Sequence, residues 1–297
     1  MQQRTLGPFT VSAIGLGAMP LSMNSDKQVP DRDDAVATVH AALDAGVTFI
    51  DTADIYAPSW DTMGHNEEII GDALARWGGD RSTIVVGTKG GITRRSAETD
   101  FGRDGSLPYL RSAVEASLRR LRVDVIDLYH YHRPDRWIVY GEIMENLKTL
   151  QDEGKVKALG ISNASVEEIK IAQQVLGDGG LVSVQNEFSP RHPGSFDELR
   201  YCDEQGIAFL PWSPLGGTGG PGRSVGERFG VFAEIGAAHG VSAQQAVLAW
   251  ELSLGSTVIP IPGARRAASI VDSAAAGDLV LTPDELARAS AALGLEV

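Results

Sequence analysis

Cysteine is nearly missing from this chain. Cys202 is the only one in 297 residues, which excludes an internal disulfide and fits a reduced, cytoplasmic setting. It falls in a helical pattern, Phe196 to Gln205, where a packed bystander is expected. Positive charge is scarce too: 26 Lys and Arg stand against 39 Asp and Glu, a formal charge of −13. That balance argues against nucleic acid or an anionic membrane as the main partner and fits a soluble protein. No apolar stretch approaches the ~18 residues of a membrane helix, and Met1-Gln2-Gln3-Arg4-Thr5 leads into Leu6-Gly7-Pro8 without an apolar signal segment. There is no linker, low-complexity tract or sequence repeat, so a single domain over 1–297 is expected. Histidines are few. His130 and His132 share a strand face, as metal ligands can, but His40, His65, His192 and His239 fall in helical patterns or loops, and no metal is expected. Nothing in the sequence bears on oligomeric state.

What is present is a rhythm. With 43% hydrophobic residues the chain can bury a large core, and short apolar runs alternate with longer amphipathic segments. Strand-like runs stand at Ala13–Leu16, Thr48–Asp51, Ile84–Lys89, Val125–His132, Ala158–Ser162, Val182–Glu187, Ala208–Trp212 and Thr257–Ile261. They are near-continuously apolar, as parallel strands covered on both faces are. Helical patterns at Asp33–Ala45, Glu67–Trp77, Leu107–Leu121, Ile138–Glu153, Ser165–Leu176 and Phe196–Gln205 fill the gaps. Ser165 with Glu168 forms a capping box, and Gly154, Gly177 and Gly206 sit where helix C-caps belong. About eight βα units in a row are the count of a (β/α)8 TIM barrel. A doubly wound sheet is the rival, but Met19-Pro20 starts no helix after Gly15 and Gly17, as its phosphate fingerprint would require. Arg4–Val11 reads as an N-terminal β-hairpin, and Ser242–Leu254 and Thr282–Leu293 as two extra helices.

In such a barrel the reactive groups stand at the C-terminal ends of the strands. Asp51 ends the second strand, Lys89 the third and His132 the fourth; Tyr56 is on the loop just past Asp51. Each alone has a plain structural explanation, a cap or packing. Together they are what carbonyl reduction needs. Tyrosine at its ordinary pKa of ~10 is a poor acid, but a nearby ammonium stabilises the phenolate and lowers that value. Lys89 can supply the ammonium, Asp51 can hold it charged, and His132 can orient the carbonyl oxygen.

At this point the chain resembles the aldo-keto reductase superfamily, bacterial type, from Leu6 to about Leu293. The motifs are Gly46-Val-Thr-Phe-Ile-Asp-Thr-Ala-Asp-Ile-Tyr56, the Lys89 strand, Leu121-Arg-Val-Asp-Val-Ile-Asp-Leu-Tyr129 leading to His132, Gly160-Ile161-Ser162-Asn163 and Trp212-Ser213-Pro214-Leu215. The resemblance implies a catalytic tetrad of Asp51, Tyr56, Lys89 and His132, with Tyr56 as general acid in reduction. It implies NADPH/NADP+ as cofactor, without flavin or metal. Ser162, Asn163 and Gln185 would hydrogen-bond the nicotinamide carboxamide, and Trp212 would stack on its ring. Ser213, Pro214, Leu215 and Gly217 would line the cofactor site, with Gly217-Thr218-Gly219-Gly220-Pro221-Gly222 folding over the pyrophosphate. Gly263, Arg265, Arg266, Ser269 and Ser273 would surround the adenosine end. The arginine pair favours NADPH over NADH, since a 2′-phosphate needs positive charge.

Met19, Trp60 and Trp137, on loops after strands one, two and four, are candidates for the substrate pocket. The ending soon after Leu293 implies an open site for small aldehydes, ketones, sugars or pyridoxal-like carbonyls. A second function class stays open: an NADP-binding regulatory or interaction subunit of the same fold with little turnover. His130 is expected to be a hydrogen-bonded core histidine.

Overall fold

The computed structural model describes residues 1–97, 100–217, 222 and 224–296. Strands β1 (Gln3–Leu6) and β2 (Phe9–Ser12) pair antiparallel as the N-terminal hairpin. The main sheet is parallel and seven-stranded. Along it stand β3 (Leu16–Gly17), β4 (Phe49–Asp51), β5 (Val85–Gly90), β8 (Ile126–Tyr131), β9 (Val156–Ser162), β10 (Leu181–Gln185) and β11 (Ala208–Phe209). Between β5 and β8 the chain forms an antiparallel hairpin of β6 (Ile92–Arg94) and β7 (Phe101–Arg103). Apart from that hairpin, sheet order follows chain order, as successive βα units require.

Helices follow the strands. These are α1 (Arg32–Asp44), α2 (His65–Arg76), α3 (Leu107–Leu121), α4 (Tyr140–Asp152), α5 (Val166–Leu176) and α6 (Phe196–Gln205). Their ends obey local chemistry: Ser165 and Glu168 form a reciprocal capping box, and Gly206 ends α6 in the left-handed region at φ 68°. Then come α7 (Val225–Arg228), α8 (Gly230–His239), α9 (Ala243–Ser253), α10 (Ala267–Ala275) and α11 (Pro283–Ala291). Of these, α9 and α11 occupy the stretches read as extra helices, with Ser242 and Thr282 as N-caps; α7, α8 and α10 have no named counterpart in the sequence reading.

Three of the expected strands differ markedly from the reading: the seventh, expected over Ala208–Trp212, is only Ala208–Phe209. The first is short, Leu16–Gly17, where Ala13–Leu16 was expected. The segment 257–261 forms no strand, only isolated parallel bridges from Val258 to Phe209 and from Gly263 to Gly17. The reason is proline. Ile259 and Ile261 donate to Phe209 and Pro211 on one side, and the carbonyls of Pro260 and Pro262 accept from Gly15 and Gly17 on the other. Pro260 and Pro262 have no N–H to return, so half of that ladder is deleted.

Side chains on the concave face of the sheet form one core. Phe49, Val85, Leu128, Ala158, Val182, Ala208, Leu210, Ile259 and Ile261 pack with Leu6 and Val11 of the hairpin. Larger clusters lie between the sheet and the helices. Strands β5 and β10 are buried along their whole length, which accounts for their largely apolar character, with Thr88, Lys89, Ser183 and Gln185 as buried polar exceptions.

Candidate active site

Four neighbouring chain segments bring the sequence-identified groups together. The Lys89 ammonium, fully buried, donates to Asp51 Oδ2 at 2.6 Å, to the Thr52 carbonyl at 2.9 Å and to the Tyr56 hydroxyl at 3.3 Å. All three of its protons are used. Gln185 Nε2 donates to the other Asp51 oxygen at 2.8 Å. The His132 ring meets the Tyr56 ring edge-on, with centroids 5.7 Å apart.

Burial sets the electrostatics. It pulls Lys89 down, but Asp51 and Tyr56 together hold its ammonium above the ordinary lysine value. Burial pushes the Asp51 carboxyl up, opposed by Lys89 and Gln185. With both oxygens accepting charge-assisted or amide hydrogen bonds, the pair stands as carboxylate and ammonium. Tyr56 departs from the sequence expectation of an unusually acidic phenol. Its desolvation outweighs the pull of Lys89, and the phenol lies above its ordinary value. His132 is held well below the ordinary histidine value, first by burial and then by the cations Lys89 and Arg133. It is therefore neutral.

His130 lies beside Lys89 in the β5–β8 register and directly opposite Gly160. Its Nε2 shares a hydrogen bond with Ser183 Oγ at 2.9 Å. A methyl group at Gly160 would come within 2.4 Å of the His130 ring, so glycine there is what gives the imidazole room. Cys202 is buried on α6, its thiol pushed up to about 12 by desolvation and then by Glu198.

A cavity of about 1010 Å³ opens over this cluster. Asp51, Tyr56 and His132 line it, while Lys89 lies behind them. Ser162, Asn163, Gln185, Trp212, Ser213, Pro214, Leu215 and Gly217 line it from the ends of β9 to β11. Gly263, Arg265, Arg266, Ser269 and Ser273 line it around the start of α10. Asn163 and Ser213 hold φ at 59° and 52°, left-handed values that cost a non-glycine residue energy and recur at ligand sites. Of the glycine-rich loop, Gly217 and Gly222 line the cavity; Thr218, Gly219, Gly220 and Pro221 lie outside the described residues.

Met19 lines the cavity, but Trp60 and Trp137 do not. Trp60 is 41% and Trp137 95% exposed. Both were read from loop position, which fixes the end of the sheet a residue belongs to but not where its side chain goes. The structure adds lining residues that the sequence reading missed, among them Asn24, Gln28, Arg103, Arg133, Gln244 and Asp272. Arg133 was within reach, since it directly follows His132. Asn24 and Gln28 belong to the long β3–α1 loop. There Arg265 donates to the Asp26 carboxylate at 2.9 Å and to the Gln28 carbonyl at 3.1 Å, a link across 239 positions with no sequence signal. Among the described residues no cluster of three His, Cys, Asp or Glu side chains could hold a metal ion, and no helix is long and apolar enough to cross a membrane.

Comparison with known proteins fits this geometry. Residues 13–293 match the aldo/keto reductase family. The chain is 36% identical over 277 residues to the 6-dehydroglucose reductase of Novosphingobium aromaticivorans, covering 90% of this chain and 87% of that one. It is 32% identical over 283 residues to probable aldo-keto reductase 1 of Glycine max, covering 87% and 78%. An aldo/keto reductase from Klebsiella pneumoniae, solved in complex with NADP and acetate, superposes with a TM-score of 0.81 at 28% identity over 99% of this chain and 96% of that one. A Klebsiella pneumoniae aldo-keto reductase in complex with NADPH gives 0.80 at 28% identity over 100% and 97%. The chain belongs to the aldo/keto reductase family.

Proposed function

We propose that this member of the aldo/keto reductase family is an NADP(H)-dependent oxidoreductase that reduces a small aldehyde, ketone or sugar carbonyl to the alcohol, with Tyr56 as proton donor. The observation that carries the reading is the buried cluster in which Lys89 touches both Asp51 and the Tyr56 hydroxyl beside the cavity.

Bound NADPH would supply the hydride. The chain's own groups do the rest. His132 is neutral, and its Nδ1 is buried without a partner among the described residues. A buried lone pair is tolerated better than an orphaned N–H, so the proton belongs on Nε2, where it can donate to the carbonyl oxygen. The Tyr56 hydroxyl gives the second hydrogen bond and passes its proton as negative charge builds on that oxygen. Burial keeps the phenol protonated beforehand, and the Lys89 ammonium stabilises the phenolate left behind. In oxidation the same phenolate takes the alcohol proton.

The residues present fit the cofactor. Gln185 Oε1 and Asn163 Oδ1 have no donor among the described residues, and both side chains line the cavity. They can accept the two N–H groups of a carboxamide. Trp212 offers a stacking face. At the adenosine end Arg266 has no ion pair among the described residues, whereas Arg265 is already paired with Asp26. Proline-interrupted pairing of 257–263 with both sheet edges supports reading the molecule as one closed (β/α)8-barrel domain.

Measuring NADPH absorbance against a panel of aldehydes, ketones and sugars tests the activity. NADPH binding without turnover of any member would favour a regulatory NADP-binding subunit instead. The cofactor choice has its own test: Arg265→Ala/Arg266→Ala should weaken NADPH binding about tenfold or more and leave NADH binding nearly unchanged. Equal wild-type affinity for the two cofactors would remove the preference.

A further inference from the structure

Two cations stand on the cavity near the reacting groups and have no part in the reduction described above. Arg133 follows His132 at the end of β8, and Arg103 closes β7 in the hairpin after β5. Arg103 is paired in register with Ile92, and Ile92 packs with Ile55 and Tyr56. Both arginines line the same cavity as Tyr56 and His132. Both depress the His132 imidazole, and Arg133 also acts on Tyr56.

Neither guanidinium makes an ion pair or side-chain hydrogen bond among the described residues, whereas nearby arginines are engaged: Arg94 donates to the Ala57 carbonyl, and Arg136 pairs with Glu168. The neighbouring carboxylates are occupied elsewhere. Asp51 serves Lys89 and Gln185. Asp135 accepts from the backbone N–H groups of Gly105 and Trp137, and Asp104 from that of Ser106. Asp272, at the adenosine end, accepts from Ser242 and Gln245. The expected cations of the adenosine 2′-phosphate are Arg265 and Arg266, and the glycine-rich loop from Gly217 is expected over the pyrophosphate. In a chain of net charge −13, two unpaired guanidinium forks beside the reaction centre form a local anion trap.

We infer that the preferred substrate carries an oxyanion group, a carboxylate or a phosphate, in addition to the carbonyl, and that Arg103 and Arg133 bind that group and set specificity. This rests on the reductase reading above. It narrows the substrate from any small carbonyl to oxo acids, sugar acids or phosphorylated aldehydes. His132 and Tyr56 hold the carbonyl oxygen, and the arginine pair holds the other end of the molecule.

The test compares 4-carboxybenzaldehyde, 4-formylphenyl phosphate and the neutral methyl 4-formylbenzoate, with NADPH, in wild type, Arg103→Gln and Arg133→Gln. Each substitution should lower kcat/KM for the anionic aldehydes about tenfold relative to the ester, chiefly through KM, and Arg→Lys at either site should recover part of the loss. The larger fall distinguishes a carboxylate site from a phosphate site. A binding arm needs no turnover: 4-(hydroxymethyl)benzoate titrated by calorimetry into cofactor-free protein should bind about tenfold more weakly to either Gln variant. An unchanged substrate ratio or unchanged affinity overturns the inference while leaving the reductase reading intact. Binding that needs both arginines in a protein that turns over no aldehyde would overturn the reductase reading and keep the anion site.

Discussion

Lys89 is the most constrained side chain in the site. Its three protons have three acceptors, and its removal would strand the buried Asp51 carboxylate with Gln185 as its remaining side-chain partner. Breaking one half of a buried pair costs about 3–5 kcal/mol. Lys89→Met should lose about that much stability in urea titration, and Lys89→Met/Asp51→Asn should recover part of it while staying inactive. If the double variant were no more stable than the single one, the stranded charge would not be the cause. Identity at this scale was readable because each tetrad residue is a polar group ending or following an apolar run. The acidity of Tyr56 was not, because its direction depends on depth. The sequence shows that an ammonium is near, but not that desolvation outweighs it.

At the scale of elements, the buried carboxyl of Glu251 on α9 is out of keeping with its surroundings. It is fully buried, neither oxygen has a partner among the described residues, and burial alone pushes it well above the ordinary glutamate value of 4.5. The folded chain therefore holds this proton to higher pH than the unfolded chain does. The folded state then binds more protons, so this group's contribution falls as pH rises above about 4.5. Glu251→Met should stabilise the protein by about 1–3 kcal/mol at neutral pH, and the gain should grow between acidic and mildly basic conditions. Urea titrations of both proteins across that range would show it; a gain that does not change with pH would contradict the assignment.

Elements also mark where sequence reading failed, and for identifiable reasons. β6 and β7 are short runs of mixed polarity that no periodicity separates from loop. α8 was hidden by glycine: Gly236 sits where an added methyl would come within 2.9 Å of the Val241 carbonyl, a close-packing reason for a residue that reads as a helix breaker. Pro260 and Pro262 had the opposite effect, since the apolar character of 257–261 suggested a strand whose ladder their missing N–H groups interrupt.

Over the whole molecule, the βα rhythm was legible because parallel strands buried on both faces write themselves as continuous apolar runs. The residues expected at a cofactor site were named from family motifs and topology together, and they line one cavity. The β3–α1 loop, the Arg265–Asp26 link and the exposed loop tryptophans were not legible, since they depend on contacts between distant segments or on side-chain direction.

The account turns on the phenol at position 56. The deciding measurement is NADPH oxidation by Tyr56→Phe with an aldehyde that the wild type reduces, alongside the shift in melting temperature that NADPH produces in each protein. The expected result is a fall in kcat of about a hundredfold to ten-thousandfold with the NADPH-induced stabilisation retained. A variant that binds NADPH and turns over at the wild-type rate would contradict the central claim.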